Sequence, residues 1–143
     1  MNRIKLRENT FKLLYCNAFY NQDEMSKQFE LYWEEPVKVS EDAIDEMIEK
    51  VSDSEKQYIA DRVTAIMDIK DTIDEKLNTV AVGWTTDRMS KVDLTILRLA
   101  YYEMKIDEDI PEKVAVDQAV ELAKKYGSDE SPAFINGILA KLF

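Results

Sequence analysis

The 143-residue chain contains no histidine. That absence removes imidazole as a base, as an activator of nucleophiles and as a metal ligand. Ser-His-Asp and Cys-His catalysis are excluded within the chain, as are carboxylate di-iron sites of the Glu-x-x-His type. Cysteine is nearly absent. The single Cys16 permits no intrachain disulfide, suits a reducing compartment, and falls in an apolar helical stretch where a packed thiol is expected. Three glycines and three prolines are too few to punctuate a turn-rich sheet protein, which favours long helices. No apolar run nears the ~20 residues of a membrane span. The opening MNRIKLREN has charge but no apolar run leading to a small-residue cleavage site, which speaks against a signal peptide. A cytoplasmic protein without a membrane partner is the expectation.

What is present fits a globular chain: 45% of residues are apolar and 34% charged, which places 1–143 as a single helical domain. The formal net charge of −10 argues at first against a nucleic-acid partner. The charge is uneven, however. Residues 1–20 carry Arg3, Lys5, Arg7 and Lys12 against Glu8 alone, whereas residues 21–56 carry twelve acids against Lys27, Lys38, Lys50 and Lys56. A local cationic patch can hold phosphates even where the distant field opposes approach.

Apolar periodicity divides the chain into about seven helices. The first covers about 3–20, with Phe11, Leu14, Tyr15 and Ala18 on one face. A second carries Met25, Phe29, Tyr32 and Trp33 to about Glu35, where Pro36 ends it. Residues 36–53 read as an inserted acidic helix, capped by Ser40 and striped by Ala43, Ile44, Met47, Ile48 and Val51. Ser54 with Gln57 reads as a capping box opening a helix that bears Tyr58, Ile59, Val63, Ile66 and Met67. A further helix runs through Ile73 and Leu77 to Val80 and Val82, closed by Gly83. Segment 92–104 is apolar almost all round, as a central buried helix would be. Pro111 opens the next helix, whose stripe is Val116, Ala119, Val120, Ala123 and Tyr126 and whose stop is Gly127. Ser131 and Pro132 start the last, striped by Ile135, Ile138, Leu139 and Leu142.

Three segments of this C-terminal half, VDLTILRLAYYEM (92–104), IPEKVAVDQAVELAKKYG (110–127) and SDESPAFINGILAKL (128–142), together with RIKLRENTFKLLY (3–15), carry a family likeness. In order and spacing the chain resembles the NusB family of transcription antitermination factors. The resemblance implies an all-α fold of two packed three-helix bundles and no enzymatic activity or cofactor. It also implies binding to boxA-type single-stranded RNA jointly with NusE, a ribosomal small-subunit protein. The complex would then act on elongating RNA polymerase, notably in ribosomal RNA operons. Homodimerisation is left open.

The same resemblance carries over particular residues. Arg3, Lys5 and Arg7 match the family's basic opening; guanidinium groups grip phosphate through paired hydrogen bonds, and a helix N-terminus adds a favourable dipole. Ile4 and Leu6 stand where many members have further basic or small residues, which thins the patch. Phe134 matches an aromatic that stacks on an unpaired base, although its spacing also fits a core edge. Glu130 and Ser131 match an acidic-Ser turn bordering the RNA, with Glu longer than the common Asp and Ala133 replacing a position often basic. Arg98 either reaches RNA or forms a structural ion pair. Tyr15 and Asp93 are implied to face NusE, with Phe19 a weaker candidate, and Tyr15 equally fits plain core.

Other readings remain at this level. One is a NusB-like interaction or regulatory module with weakened or no RNA binding, akin to the N-terminal part of ribosomal RNA cytosine methyltransferases. Such an enzyme needs a following cofactor-binding domain, which the sequence to Phe143 does not supply. A paired-carboxylate hydrolase has no spacing to single it out. The acidic segment 21–56 is expected to be a solvated face, with docking of a basic protein or repulsion of non-specific RNA as alternatives. The Asp107, Glu108, Asp109 run is expected to be a surface loop and not a Mg²⁺ site.

Overall fold

The computed structural model describes residues 1–17, 19–20, 22–34, 37–38, 48–49 and 51–143. Among them are seven α-helices, which bears out the all-α expectation, and one ladder of two two-residue strands. The chain divides into two compact units, Met1–Met67 and Asp68–Phe143.

The first unit begins with α1 (Arg3–Cys16). Asn2 caps it, its side-chain oxygen accepting from the Lys5 N–H at 2.8 Å. The buried face comprises Phe11, Leu13 and Leu14 together with Asn9, Thr10 and Glu8, whose carboxylate accepts from Lys5 Nζ. Burying those polar groups is tolerable because each is bonded: the Thr10 hydroxyl donates to the Leu6 carbonyl, the Asn9 amide to that of Lys5. The Tyr32 hydroxyl of α2 (Gln22–Tyr32) donates to Asn9 Oδ1, fastening the two helices. The helix stops at Cys16, short of the expected ~20, because the Asn17 and Phe19 N–H groups turn back onto the Leu14 and Cys16 carbonyls. Ala18 lies outside the described residues.

Strands β1 (Val37–Lys38) and β2 (Ile48–Glu49) pair antiparallel, Val37 opposite Glu49 and Lys38 opposite Ile48. Ile48, assigned from its spacing to an acidic helix, is therefore extended. Val51, the last residue of that stripe, lies in no helix, while Ala43, Ile44 and Met47 and the cap Ser40 lie outside the described residues, as do Glu35 and Pro36. Helix α3 (Asp53–Asp68) buries Ile59, Val63 and Ile66, whereas Tyr58 lies outside with the Arg62 guanidinium over its ring. The capping box lies two residues earlier than expected. Ser52 Oγ accepts from the Glu55 N–H while the Glu55 carboxylate accepts from the Ser52 N–H, so Ser52 and Glu55 form it in place of Ser54 and Gln57.

In the second unit α5 (Lys91–Lys105) is central, packing against α4 (Lys70–Val80), α6 (Glu112–Tyr126) and α7 (Ser131–Ala140). Ile96, Leu97, Leu99 and Ala100 fill the core with Ile73, Leu77, Ala119, Ala123, Ile135 and Leu139. This matches the nearly all-round apolar pattern of 92–104. Ser90 caps α5 by accepting from the Asp93 N–H at 3.1 Å. Gly127 ends α6 for a reason other than turn freedom: its backbone is extended, but an added Cβ would stand 2.5 Å from Ser131 Cβ and 2.8 Å from the Ala123 carbonyl. Glycine is needed there to let α7 approach α6. Pro111 occupies the cap position of α6, one residue ahead of its first turn.

Candidate RNA and partner faces

In the first unit, the start of α1 displays Arg3, exposed and without a side-chain partner among the described residues. Lys5 is held to Glu8, Nζ to Oε2 at 3.4 Å, so its charge is partly neutralised. Arg7 is half-buried and already engaged. The basic opening is thus one free guanidinium flanked by two tethered cations. At the far end, Phe11, Tyr15 and Phe19 form an aromatic ladder. Phe11 and Tyr15 stack at 6.2 Å, and Tyr15 meets Phe19 edge to face at 5.2 Å. Burial falls along it, from Phe11 at 3% exposed through half-buried Tyr15 to Phe19 at 56%. Tyr15 is therefore neither plain core nor free surface. It joins the core to an apolar outer face on which Phe19 is the most exposed ring of the three.

In the second unit Glu130 ends the turn between α6 and α7, and Ser131 and Phe134 lie in the first turn of α7. Ser131 is 2% exposed, and its Oγ accepts from the Ser128 N–H at 3.0 Å and bonds the Ser128 hydroxyl at 3.2 Å. A hydroxyl so engaged shapes the turn and does not project from it. Glu130 precedes α7, exposed and without capping the helix through its side chain. Phe134, one turn into α7, is half-buried and meets Trp84 edge to face, centroids 6.2 Å and planes 78° apart. Its ring reaches the surface and is not part of the interior.

Arg98 forms the ion pair that is one of its two readings. Nε and Nη2 donate to the two oxygens of Asp74 at 2.8 and 2.6 Å, a bidentate pair joining α5 to α4. Asp93, on the first turn of α5, has an oxygen, Oδ1, that is buried and has no hydrogen-bond partner among the described residues. Such an atom is costly unless a donor arrives.

Sequence reasoning overlooked Trp84 and Asp74. A tryptophan following glycine in an otherwise polar stretch, VGWTTDR, was the available signal for the first. Nothing in spacing singles out Asp74, because its partner lies 24 residues away. Asp107 accepts from the Asp109 N–H at 2.9 Å, an Asx-type turn, and among the described residues no acidic group is arranged to hold a metal ion. Burial raises the Cys16 thiol above its ordinary value, the opposite of what a reactive thiolate needs. Among the described residues no helix is long and apolar enough to cross a membrane.

Helices that bury their apolar stripes while displaying aromatic rings and a cationic helix start make this an all-α protein. Residues 4–143 match the NusB family. A transcription antitermination protein NusB of Agathobacter rectalis is 44% identical over 141 residues, 99% of this chain and 98% of the relative. That of Clostridium novyi is 42% identical over 142 residues, again 99% and 98%. The solved T. maritima NusB superposes with a TM-score of 0.79 at 29% identity, covering 99% of this chain and 90% of that one. A solved complex of antitermination factors NusB and NusE with dsRNA shares the fold, with a TM-score of 0.74 at 20% identity over 98% and 94%. The chain belongs to the NusB family, whose curated members named here are transcription antitermination proteins.

Proposed function

We propose that this protein is a cytoplasmic antitermination factor that binds boxA-type single-stranded RNA together with NusE and presents it to elongating RNA polymerase, notably in ribosomal RNA operons. The observation that carries the reading is Phe134, whose ring stands at the surface at the start of α7 beside an exposed carboxylate. An aromatic face takes an unpaired base by stacking, and the Glu130 carboxylate accepts from base amino groups, which duplex pairing would occupy. Arg3, with Lys5 and Arg7 behind it, supplies phosphate contacts on the other unit. Arg98 and the Ser131 side chain act indirectly, by fixing α4 against α5 and by shaping the turn. The Tyr15–Phe19 ladder and Asp93 are the NusE-facing groups: the rings offer apolar area, and Asp93 offers a partly exposed acidic position at the start of α5.

A second reading, an interaction module with weakened RNA binding, is favoured by one set of facts. The chain carries a net charge of −10, and Lys5 and Arg98 both have carboxylate partners. Fluorescence anisotropy of a boxA-type RNA, with and without NusE, separates the two. Tighter binding in the presence of NusE is the expected result. Equal affinity in both conditions counts against joint recognition, and no binding in either leaves the second reading.

A further inference from the structure

We propose that Trp84 is a second base-stacking platform beside Phe134, taking another unpaired nucleobase of the same RNA strand. The proposal rests on the RNA-binding reading above and extends it to a residue on the α4–α5 connection. The Trp84 indole is 52% exposed and adjoins the half-buried Phe134 ring, which puts two neighbouring aromatic rings at the surface.

The segment that carries it is built, not loose. Asn78 Oδ1 accepts from the Thr86 N–H at 2.8 Å, and the Asn78 amide donates to the Thr86 hydroxyl at 3.4 Å. The Trp84 N–H donates to the Ala81 carbonyl and the Arg88 N–H to that of Thr85. Gly83, at φ +80°, makes the reversal between them, a conformation that glycine adopts without strain. The indole is thus presented by a hydrogen-bonded turn against the Phe134 ring. Cations stand at both ends of the turn: Lys141 Nζ donates to the Val80 carbonyl at 3.2 Å, and Arg88 is exposed. These charges are positioned for the phosphates of a strand whose bases rest on the rings.

The geometry also restricts the occupant. With ring planes 78° apart, two bases lying one on each ring cannot stack on each other. The occupant is therefore a single strand with one unstacked, turned step, and a continuous helical stack does not fit.

The test uses the full-length protein carrying Trp33→Phe, which leaves Trp84 as the sole indole, and a boxA-type single-stranded RNA. Saturating RNA should quench Trp84 fluorescence. Trp84→Ala should weaken RNA binding by about five-fold or more, whereas Trp84→Phe should stay within about three-fold of the parent. Where Trp84→Ala lowers the melting temperature, the quench and the Trp84→Phe value decide. Unchanged fluorescence at saturation, or an alanine variant matching the parent while Phe134→Ala loses affinity, overturns the proposal and leaves the RNA-binding reading standing. Loss of NusE affinity with RNA affinity intact assigns the indole to the protein partner and overturns it too. No RNA binding by the parent, with or without NusE, removes both.

Discussion

Arg98 illustrates what a single position reveals alone and what it reveals in company. An arginine in a nearly all-apolar segment demands a partner, and that demand is visible in the sequence. The choice between an external phosphate and an internal carboxylate depends on Asp74, which only folding brings within 2.6 Å. Removing one member of a bidentate, partly buried pair leaves the other unsatisfied, so Asp74→Ala should lower stability by about 2 kcal/mol, measured by urea unfolding. The freed guanidinium should not reduce RNA affinity; a large reduction would show that Asp74 itself serves the RNA. At Gly127 steric closeness decides, since Ser131 and the Ala123 carbonyl leave no room for a Cβ. Gly127→Ala should therefore cost about 1–3 kcal/mol by the same measurement. An alanine variant as stable as the parent would mean that the two helices separate without penalty.

The elements were legible where one buried stripe dominates. Segment 92–104 announced a central helix, and Ile59, Val63 and Ile66 recur at helical spacing and are all buried. Legibility failed where two frames competed. Ser52-x-x-Glu55 and Ser54-x-x-Gln57 overlap in one acidic stretch, and the earlier frame prevails because a carboxylate at a helix start gains from the dipole as an amide does not. The amino group of Met1, then the Ser52 N–H and hydroxyl, hold the Glu55 carboxyl down to about 2. A depressed carboxylate pKa stabilises the fold above the ordinary Glu value of about 4.3, and that contribution disappears as pH falls through the folded value. Glu55→Gln should thus be less stable than the parent at pH 6, and the difference should shrink between about pH 4 and pH 2. A gap independent of pH would remove the ionised box as its source. Of the site elements, the basic start of α1 and the aromatic of α7 could be placed from the likeness in 3–15 and 128–142. Trp84 could not, because its significance lies in its meeting Phe134 fifty residues later in the chain.

At the scale of the whole molecule, the net charge of −10 sets a field that opposes RNA, whereas the contacts proposed with it are local. Binding must then combine a few phosphate contacts with stacking, two terms that respond differently to salt. Phosphate contacts release counterions, at about −0.7 per contact in the log-log slope for single strands. Arg3 alone gives about −0.7, and Arg3, Lys5 and Arg7 together about −2, so the slope also reports whether the tethers on Lys5 and Arg7 yield. Stacking of a base on Phe134, as proposed, would be nearly independent of salt and worth ~1–3 kcal/mol.

The central claim is therefore tested most directly by anisotropy titrations of a labelled boxA-type RNA against the parent and Phe134→Ala, at several salt concentrations. The expected result is an offset of at least about five-fold between two lines of equal, negative slope, larger than that of a Lys56→Ala control on α3. Coincident lines, or a response flat in salt, would contradict the account.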